Sequence, residues 1–330
     1  VTAAGEVLMF VEEGGRAARP LSFGQHAMAV SLAGDVLVVA TSRGEVWVGG
    51  PGPGEPRRLG SFQAELAAST AASTSLEVRD EKALPKPQAF ALVVSPTRCW
   101  VRATDSLYWL GFSNEPLACI RQSGVLAIAQ APEAMYALTT SRSRAASPAR
   151  EPDVRLERFR SDDEGCDDVP LPREVRQLVS RTADRLRLSV AADGRCLAIA
   201  GGDRIAVSRN GGRDFSWVEL RNAVAVTFAG DTDDCPLLAL SGPSGHEPSA
   251  PLLVEVPFGA PVAILAELDL PLFGDECAAA GTKTARNTRV PSTVHQGPWA
   301  SAAIAWDSSR EVLWIACPLG LLALGPTRRH

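Results

Sequence analysis

Two tyrosines (Tyr108 and Tyr136), four scattered histidines, one serine in Gly-Pro-Ser-Gly-His and two acidic clusters are the residues of this 330-residue chain whose types could carry chemistry. Each implies a different reaction. A tyrosine nucleophile acting on an anionic sugar needs a carboxylate partner and an arginine cluster, yet both tyrosines stand inside apolar runs, where packing is expected. His26, His246, His295 and His330 show no His-Glu-x-x-His spacing, so no metal centre is expected from them. Ser244 misses the Gly-x-Ser-x-Gly elbow by one position, and its Pro/Ser/Gly surroundings read as an exposed loop. Asp162-Asp163-Glu164-Gly165-Cys166-Asp167-Asp168 could gather carboxylates around a hard cation but lacks the alternation of a calcium loop. It reads as a solvated loop between a third and a fourth strand, as does the turn holding Asp231, Asp233 and Asp234. Gly281-Thr282-Lys283-Thr284 lacks the preceding glycine of a phosphate loop, and no cofactor is expected.

Composition narrows the partners. With 45% hydrophobic and 22% charged residues the chain has the make-up of a globular protein. Its 33 basic and 38 acidic residues give a net charge of −5 without a long run of either sign, so no nucleic-acid surface is expected. Lysine occurs only at Lys82, Lys86 and Lys283, and the arginine excess reads as a codon bias of a GC-rich bacterial genome. The longest apolar candidate, Gly259 to Gly274, contains Glu267 and Asp269, and no membrane-spanning helix is expected. Seven cysteines are an odd number without metal or redox spacing, and Cys99, Cys196, Cys235 and Cys317 sit in or beside apolar runs. Free buried thiols and a cytoplasmic location are the expectation, with a periplasmic or secreted one left open because the chain starts at Val1.

Any functional group must be carried on short strands, because apolar runs recur in pairs joined by tight turns. Val36 to Gly49, Cys99 to Gly111 and Cys196 to Ser208 are hairpins by period and turn chemistry. Looser copies run from Leu313 to Gly325, from Leu237 to Val256 around a polar insert, and from Tyr136 to a resumption at Val154. A further apolar strand precedes each hairpin, starting near Ala27, Phe90, Val125, Leu186, Val224 and Ala302. Most units continue into a polar fourth strand, as in Pro56 to Phe62 or Phe215 to Leu220. Six units in this length give about 55 residues each, the size of a four-stranded propeller blade with enlarged loops.

The fold expected is therefore all-β, a single β-propeller domain over residues 1–330 with six blades, or seven as the alternative. The segment from Gly5 to Phe23 looks like the last two strands of a blade, and the C-terminus stops at a third strand. Pairing of the two ends would close the ring and remove exposed sheet edges. Loop insertions are expected near 63–88, 141–152, 242–251 and 275–298, with short helices around Glu65–Leu76 and Arg173–Asp184.

Ser208-Arg209-Asn210-Gly211-Gly212-Arg213-Asp214-Phe215 resembles the Asp-box, or BNR repeat, whose usual form is Ser-x-Asp-x-Gly-x-Thr followed by an aromatic residue. Asn210 stands for the usual Asp and Asp214 for the Thr, both able to bond turn amides, and Gly211 and Gly212 supply positive φ. A weaker echo is Glu13-Gly14-Gly15-Arg16, and the remaining patterning is similar to WD40 and YVTN propellers. The resemblance implies a structural turn between third and fourth strands. It also brings sialidases to mind, but two tyrosines inside apolar runs nominate no catalytic set.

A non-catalytic module that binds another protein, as interaction partner, scaffold or sensor, is the reading these features support, with contact on the loops of a rigid ring. The alternative is a carbohydrate-active hydrolase or lyase using the central funnel. Trp299, His295 and Arg286, near the long polar stretch that ends at Pro298, are the candidate contact residues. Trp47, Trp109, Trp217 and Trp314 are expected between blades.

Overall fold

The computed structural model describes residues 7–10, 17–21, 27–33, 36–41, 44–49, 56–61, 91–94, 98–103, 106–112, 118–121, 124–131, 134–141, 153–160, 165–182, 186–230, 236–242, 252–256, 262–267, 303–307, 311–317 and 320–324. Strands β1 (Val7–Phe10) and β2 (Ala17–Leu21) form a two-stranded antiparallel ribbon. The first four-stranded sheet holds β3 (Ala27–Ala33), β4 (Val36–Thr41), β5 (Glu45–Gly49) and β6 (Arg57–Ser61). The second holds β7 (Ala91–Val94), β8 (Arg98–Ala103), β9 (Ser106–Gly111) and β10 (Ala118–Arg121). The third holds β11 (Val125–Ala131), β12 (Ala134–Ser141), β13 (Asp153–Arg160) and β14 (Cys166–Val169). Helix α1 (Arg173–Arg181) leads to the fourth sheet, β15 (Arg187–Val190), β16 (Leu197–Gly201), β17 (Arg204–Ser208) and β18 (Ser216–Glu219). The fifth holds β19 (Ala223–Phe228), β20 (Leu237–Ser241), β21 (Leu252–Val256) and β22 (Ala263–Glu267), and β23 (Ala303–Asp307), β24 (Val312–Cys317) and β25 (Gly320–Leu324) make a three-stranded sheet.

All six expected strand triplets are thus sheets, and strand order within each follows the chain. The first strands of successive sheets adjoin one another from β3 through β7, β11, β15 and β19 to β23. Apolar cores lie between neighbouring sheets: Val38, Val46, Val94 and Cys99 between the first two, for example, and Cys196, Ile205, Phe228 and Leu237 between the fourth and fifth. This sandwiching explains why β16 reads Leu-Ala-Ile-Ala-Gly without a polar residue, since both its faces are covered and all five residues are buried. The last strands face solvent and are polar: Arg57 and Arg58 on β6, Asp167 and Asp168 on β14, and Ser216 and Glu219 on β18 are exposed.

Side chains also tie the sheets together. Arg102 of β8 donates to the Leu126 carbonyl, Gln130 of β11 bonds the Val94 backbone, and Arg187 Nε donates to the Val224 carbonyl at 2.8 Å. Helix α1 is one of the two expected insertions. Glu174 and Arg181 complement its dipole, and Val175 and Val179, one turn apart, are buried against the core between the third and fourth sheets. The stretch near Glu65–Leu76 lies outside the described residues, and so do loops 63–88 and 275–298 and most of 141–152 and 242–251.

Two expectations are corrected. Asp167 and Asp168 do not lie in a loop: they belong to β14, opposite Arg158 and Glu157 of β13. Trp217 is not wedged between blades but is 39% exposed on the outer strand β18. Among the described residues the β1–β2 ribbon forms no ladder with β23–β25, although both expected terminal segments are strands. No described helix is long and apolar enough to cross a membrane.

Candidate functional site

The Ser208–Phe215 segment is the turn between β17 and β18, third and fourth strands of their sheet. Its polar side chains are directed at its own backbone. The Ser208 hydroxyl accepts from the Gly212 amide at 2.9 Å and donates to Asn210 Oδ1 at 3.0 Å. Asn210 Oδ1 also accepts from the Asp214 amide at 3.0 Å, while Asn210 Nδ2 donates to Asp214 Oδ2 at 2.8 Å. Gly211 and Gly212 have φ of 74° and 87°, and the Gly211 amide donates to the Arg195 carbonyl at 2.8 Å. Phe215 packs into the core between the third and fourth sheets. With its polar atoms used this way, the turn organises the chain.

The two tyrosines are buried in different inter-sheet cores, Tyr108 between the first and second sheets and Tyr136 between the third and fourth. They share no site. Tyr136 donates to the Gly194 carbonyl at 3.1 Å, with Arg158 over its ring, and burial pushes its hydroxyl above the usual phenol range, with Arg158 opposing and Asp193 adding to the shift. A phenolate nucleophile needs the opposite shift. The exposed carboxylates of the third sheet are matched by arginines: Arg155 with Asp153 at 2.7 Å and Asp168 at 3.3 Å, and Arg160 with Asp167 at 2.9 Å. Among the described residues no three His, Cys, Asp or Glu side chains are grouped to hold a metal.

Trp299, His295 and Arg286 lie outside the described residues, as do Ser244, all four histidines, the Asp231 to Asp234 turn and the Glu13 to Arg16 echo.

A hollow without a signature in any single strand lies between the second and third sheets. Register puts Trp100 of β8, Trp109 of β9 and Ala118 of β10 side by side in one cross-strand row. The row is large, large, small, so the outermost strand leaves space that the tryptophans do not fill. The resulting open hollow of about 290 Å³ is lined also by Ile120 and by Phe159 of β13, with Arg98 and Arg160 as the charged residues among its described walls. Arg98 lies over the Trp109 ring at 4.5 Å from its centre, a cation–π contact. Ile120 is 37% exposed. The signal was present in the alternation Arg98, Trp100 on one face of β8, but the pairing with Ala118 depends on a register that one strand alone does not reveal.

Neither a family model nor a curated protein matches the chain. Solved structures do. A functionally unknown protein from Desulfotomaculum acetoxidans DSM 771 is similar with a TM-score of 0.56 and 11% identity over 99% of this chain and 90% of that one. YCF48 bound to D1 peptide is similar with a TM-score of 0.55 and 11% identity over 99% of this chain and 89% of that one. The extracellular domain of BT4673 from B. thetaiotaomicron is matched over 92% of this chain but only 33% of that one, with a TM-score of 0.46 and 12% identity. At such identities the likeness concerns fold alone: the chain is all-β, built of four-stranded antiparallel sheets like those of β-propeller structures.

Proposed function

We propose that the chain is a non-catalytic protein-interaction module, a scaffold or sensor built on a six-bladed β-propeller whose terminal segments pair to close the ring. The observation that carries this reading is the shared fold with YCF48, whose solved structure holds a D1 peptide. Fold likeness supplies the architecture, and the binding role is our extension of it. The burial of both tyrosines in packed cores and the self-bonded Asp-box-like turn support this reading. Closure would add β1 and β2 to the three-stranded sheet and cover the edges that otherwise template aggregation. A scaffold of this kind presents recognition on its rims, where Trp299, His295 and Arg286 remain our candidates on the loop side.

The test pairs capture with turnover. Photo-crosslinking of the full chain in its native host should trap one reproducible protein partner. The same protein, incubated with a glycan panel, should release no product. Turnover that disappears on replacing funnel carboxylates would overturn the reading in favour of a carbohydrate-active enzyme.

A further inference from the structure

The first, third and fifth four-stranded sheets share a construction that the second, the fourth and the three-stranded sheet lack. In each of them the first strand is bulged at its second residue: Met28 in β3, Leu126 in β11 and Val224 in β19. Opposite the residue before the bulge stands a buried hydroxyl, Thr41, Thr139 or Ser241. The other three sheets begin regularly, and their first rungs pair Ala91 with Arg102, Arg187 with Ala200, and Ala303 with Ala316. A bulge takes one residue out of the ladder, so its carbonyl needs a donor from elsewhere. That donor is an arginine of the preceding sheet. Arg102 donates to the Leu126 carbonyl, and Arg187 Nε donates to the Val224 carbonyl at 2.8 Å. Both arginines are half-buried and stand on the first rung of their own sheets.

We infer that arginine-to-bulge latches lock the second sheet to the third and the fourth to the fifth, and that the three-stranded sheet meets the first sheet at an unlatched seam where the ring opens. The inference rests on the closed six-bladed ring proposed above. Alternation carries it. At each latch a bulged sheet follows an unbulged one, and the series starts on a bulged sheet and finishes on an unbulged one. Closure therefore brings Met28 to the place that Leu126 and Val224 hold at the two latches. Ala303 stands there where the fourth sheet has Arg187, and Ala316 where the second has Arg102, and an alanine cannot donate to a carbonyl. Exposure points the same way. Ile304 and Trp306 of β23 pack on the core shared with the fifth sheet, while Ala303 and Ala305, on the opposite face, are exposed. In β19, which Arg187 holds, five of six residues are buried. The first and second, third and fourth, and fifth and three-stranded sheets are joined by apolar cores and by the chain itself, which does not span the seam. Parting at a latch would leave a half-buried guanidinium and a bulge carbonyl without each other, whereas the first rung of the three-stranded sheet has no such bond to give up.

Hydrogen exchange of the full chain, resolved strand by strand with mass spectrometry, tests both parts. Amides of β3 and β23 should exchange about tenfold faster than those of β11 and β19. Arg187→Met keeps the apolar stem and removes the donor, and should speed exchange in β15 and β19 about tenfold while β3 and β23 stay as they are. Ala303→Arg gives the Met28 carbonyl the donor its counterparts have, and should slow exchange in β3 and β23 about fivefold. Should Arg187→Met fail to fold, Arg102→Met is the second arm, read in β8 and β11; should Ala303→Arg fail, the exchange of the parent decides the seam. Exchange in β3 and β23 as slow as in β11 and β19 would overturn the seam, and unchanged exchange in a folded Arg187→Met would overturn the latch. A folded Ala303→Arg that exchanges like the parent in β3 and β23, beside an Arg187→Met that loosens β15 and β19, would mean that the six-bladed ring itself is wrong and would take the seam with it. The non-catalytic reading falls separately, on glycan turnover, which none of these variants would produce.

Discussion

A Cβ added to Gly212 would stand 2.5 Å from Val169 Cγ1, which places the β17–β18 turn hard against the last strand of the preceding sheet. The neighbouring Gly211 has a similar positive φ but open space around it. Gly211→Ala should therefore cost only the left-handed backbone penalty, about 1 kcal/mol. Gly212→Ala adds overpacking against a stiff β-branched side chain and should cost about 2–4 kcal/mol in all. Urea unfolding of the two variants checks the difference, and equal losses would show that Val169 yields freely.

Much of this was legible in the sequence because the signals were local. Tight turns and alternating apolar residues marked Val36 to Gly49 and Cys196 to Ser208 as hairpins, and both are. The Ser208–Phe215 turn could be read from residue types because its hydrogen bonds run between residues two and four apart. The hollow could not, because it arises where Trp109 meets Ala118 across a strand pair and Phe159 arrives from another sheet. Asp167 and Asp168 looked like loop residues for a related reason. An outer strand facing water loses the apolar alternation by which strands are recognised, and only its pairing with β13 betrays it.

The ion pair between Arg121 of β10 and Glu157 of β13 spans the second and third sheets, and Thr139 Oγ1 donates to the same carboxylate oxygen at 3.1 Å. Glu157 is only 6% exposed. Arg121→Met should leave a buried charge with one hydroxyl partner and cost about 3 kcal/mol. Adding Glu157→Leu removes that charge, and the double variant should recover most of the loss. Chemical denaturation of the three variants measures it, and a double variant no better than Arg121→Met would show the pair is not the cause.

Cys99 is fully buried, and burial pushes its thiol from 9.0 up to about 12. Between those values the folded chain keeps a proton that the unfolded chain has lost, so stability falls as pH rises, by about 1.4 kcal/mol per pH unit at most. Well below pH 9 the thiol is protonated in both states and contributes no slope. Relative to Cys99→Ala, the parent should lose about 2 kcal/mol between pH 9 and roughly pH 10.5. Parallel urea midpoints for the two proteins over that range would refute the shift.

Cys119 and Cys166 are exposed free thiols, whereas Cys99 and Cys196 are buried ones. A thiol reagent should label the first two in the native protein and the second two only after unfolding. Cys166 should react faster as pH climbs beyond the ordinary thiol range, because partial burial, Glu157 and Asp168 push its thiol up against the opposing Arg121. Denatured, non-reduced protein should take up seven equivalents, one for each cysteine of the chain. Recovery of five, three or one would reveal disulfides and an oxidising compartment.

Recognition is expected on the loops of the scaffold. Residues 275–298 are long, polar and without periodicity, and Trp299 follows them, a composition suited to contact more than to a core. Deleting 275–298 together with Trp299→Ala should abolish capture of the crosslinked partner and leave the melting temperature nearly unchanged, since lengthening or shortening a connection changes closure entropy only slowly. Loss of folding would instead make the segment part of the sheet system, a strand of a seventh blade, and would move the contact surface away from Trp299, His295 and Arg286.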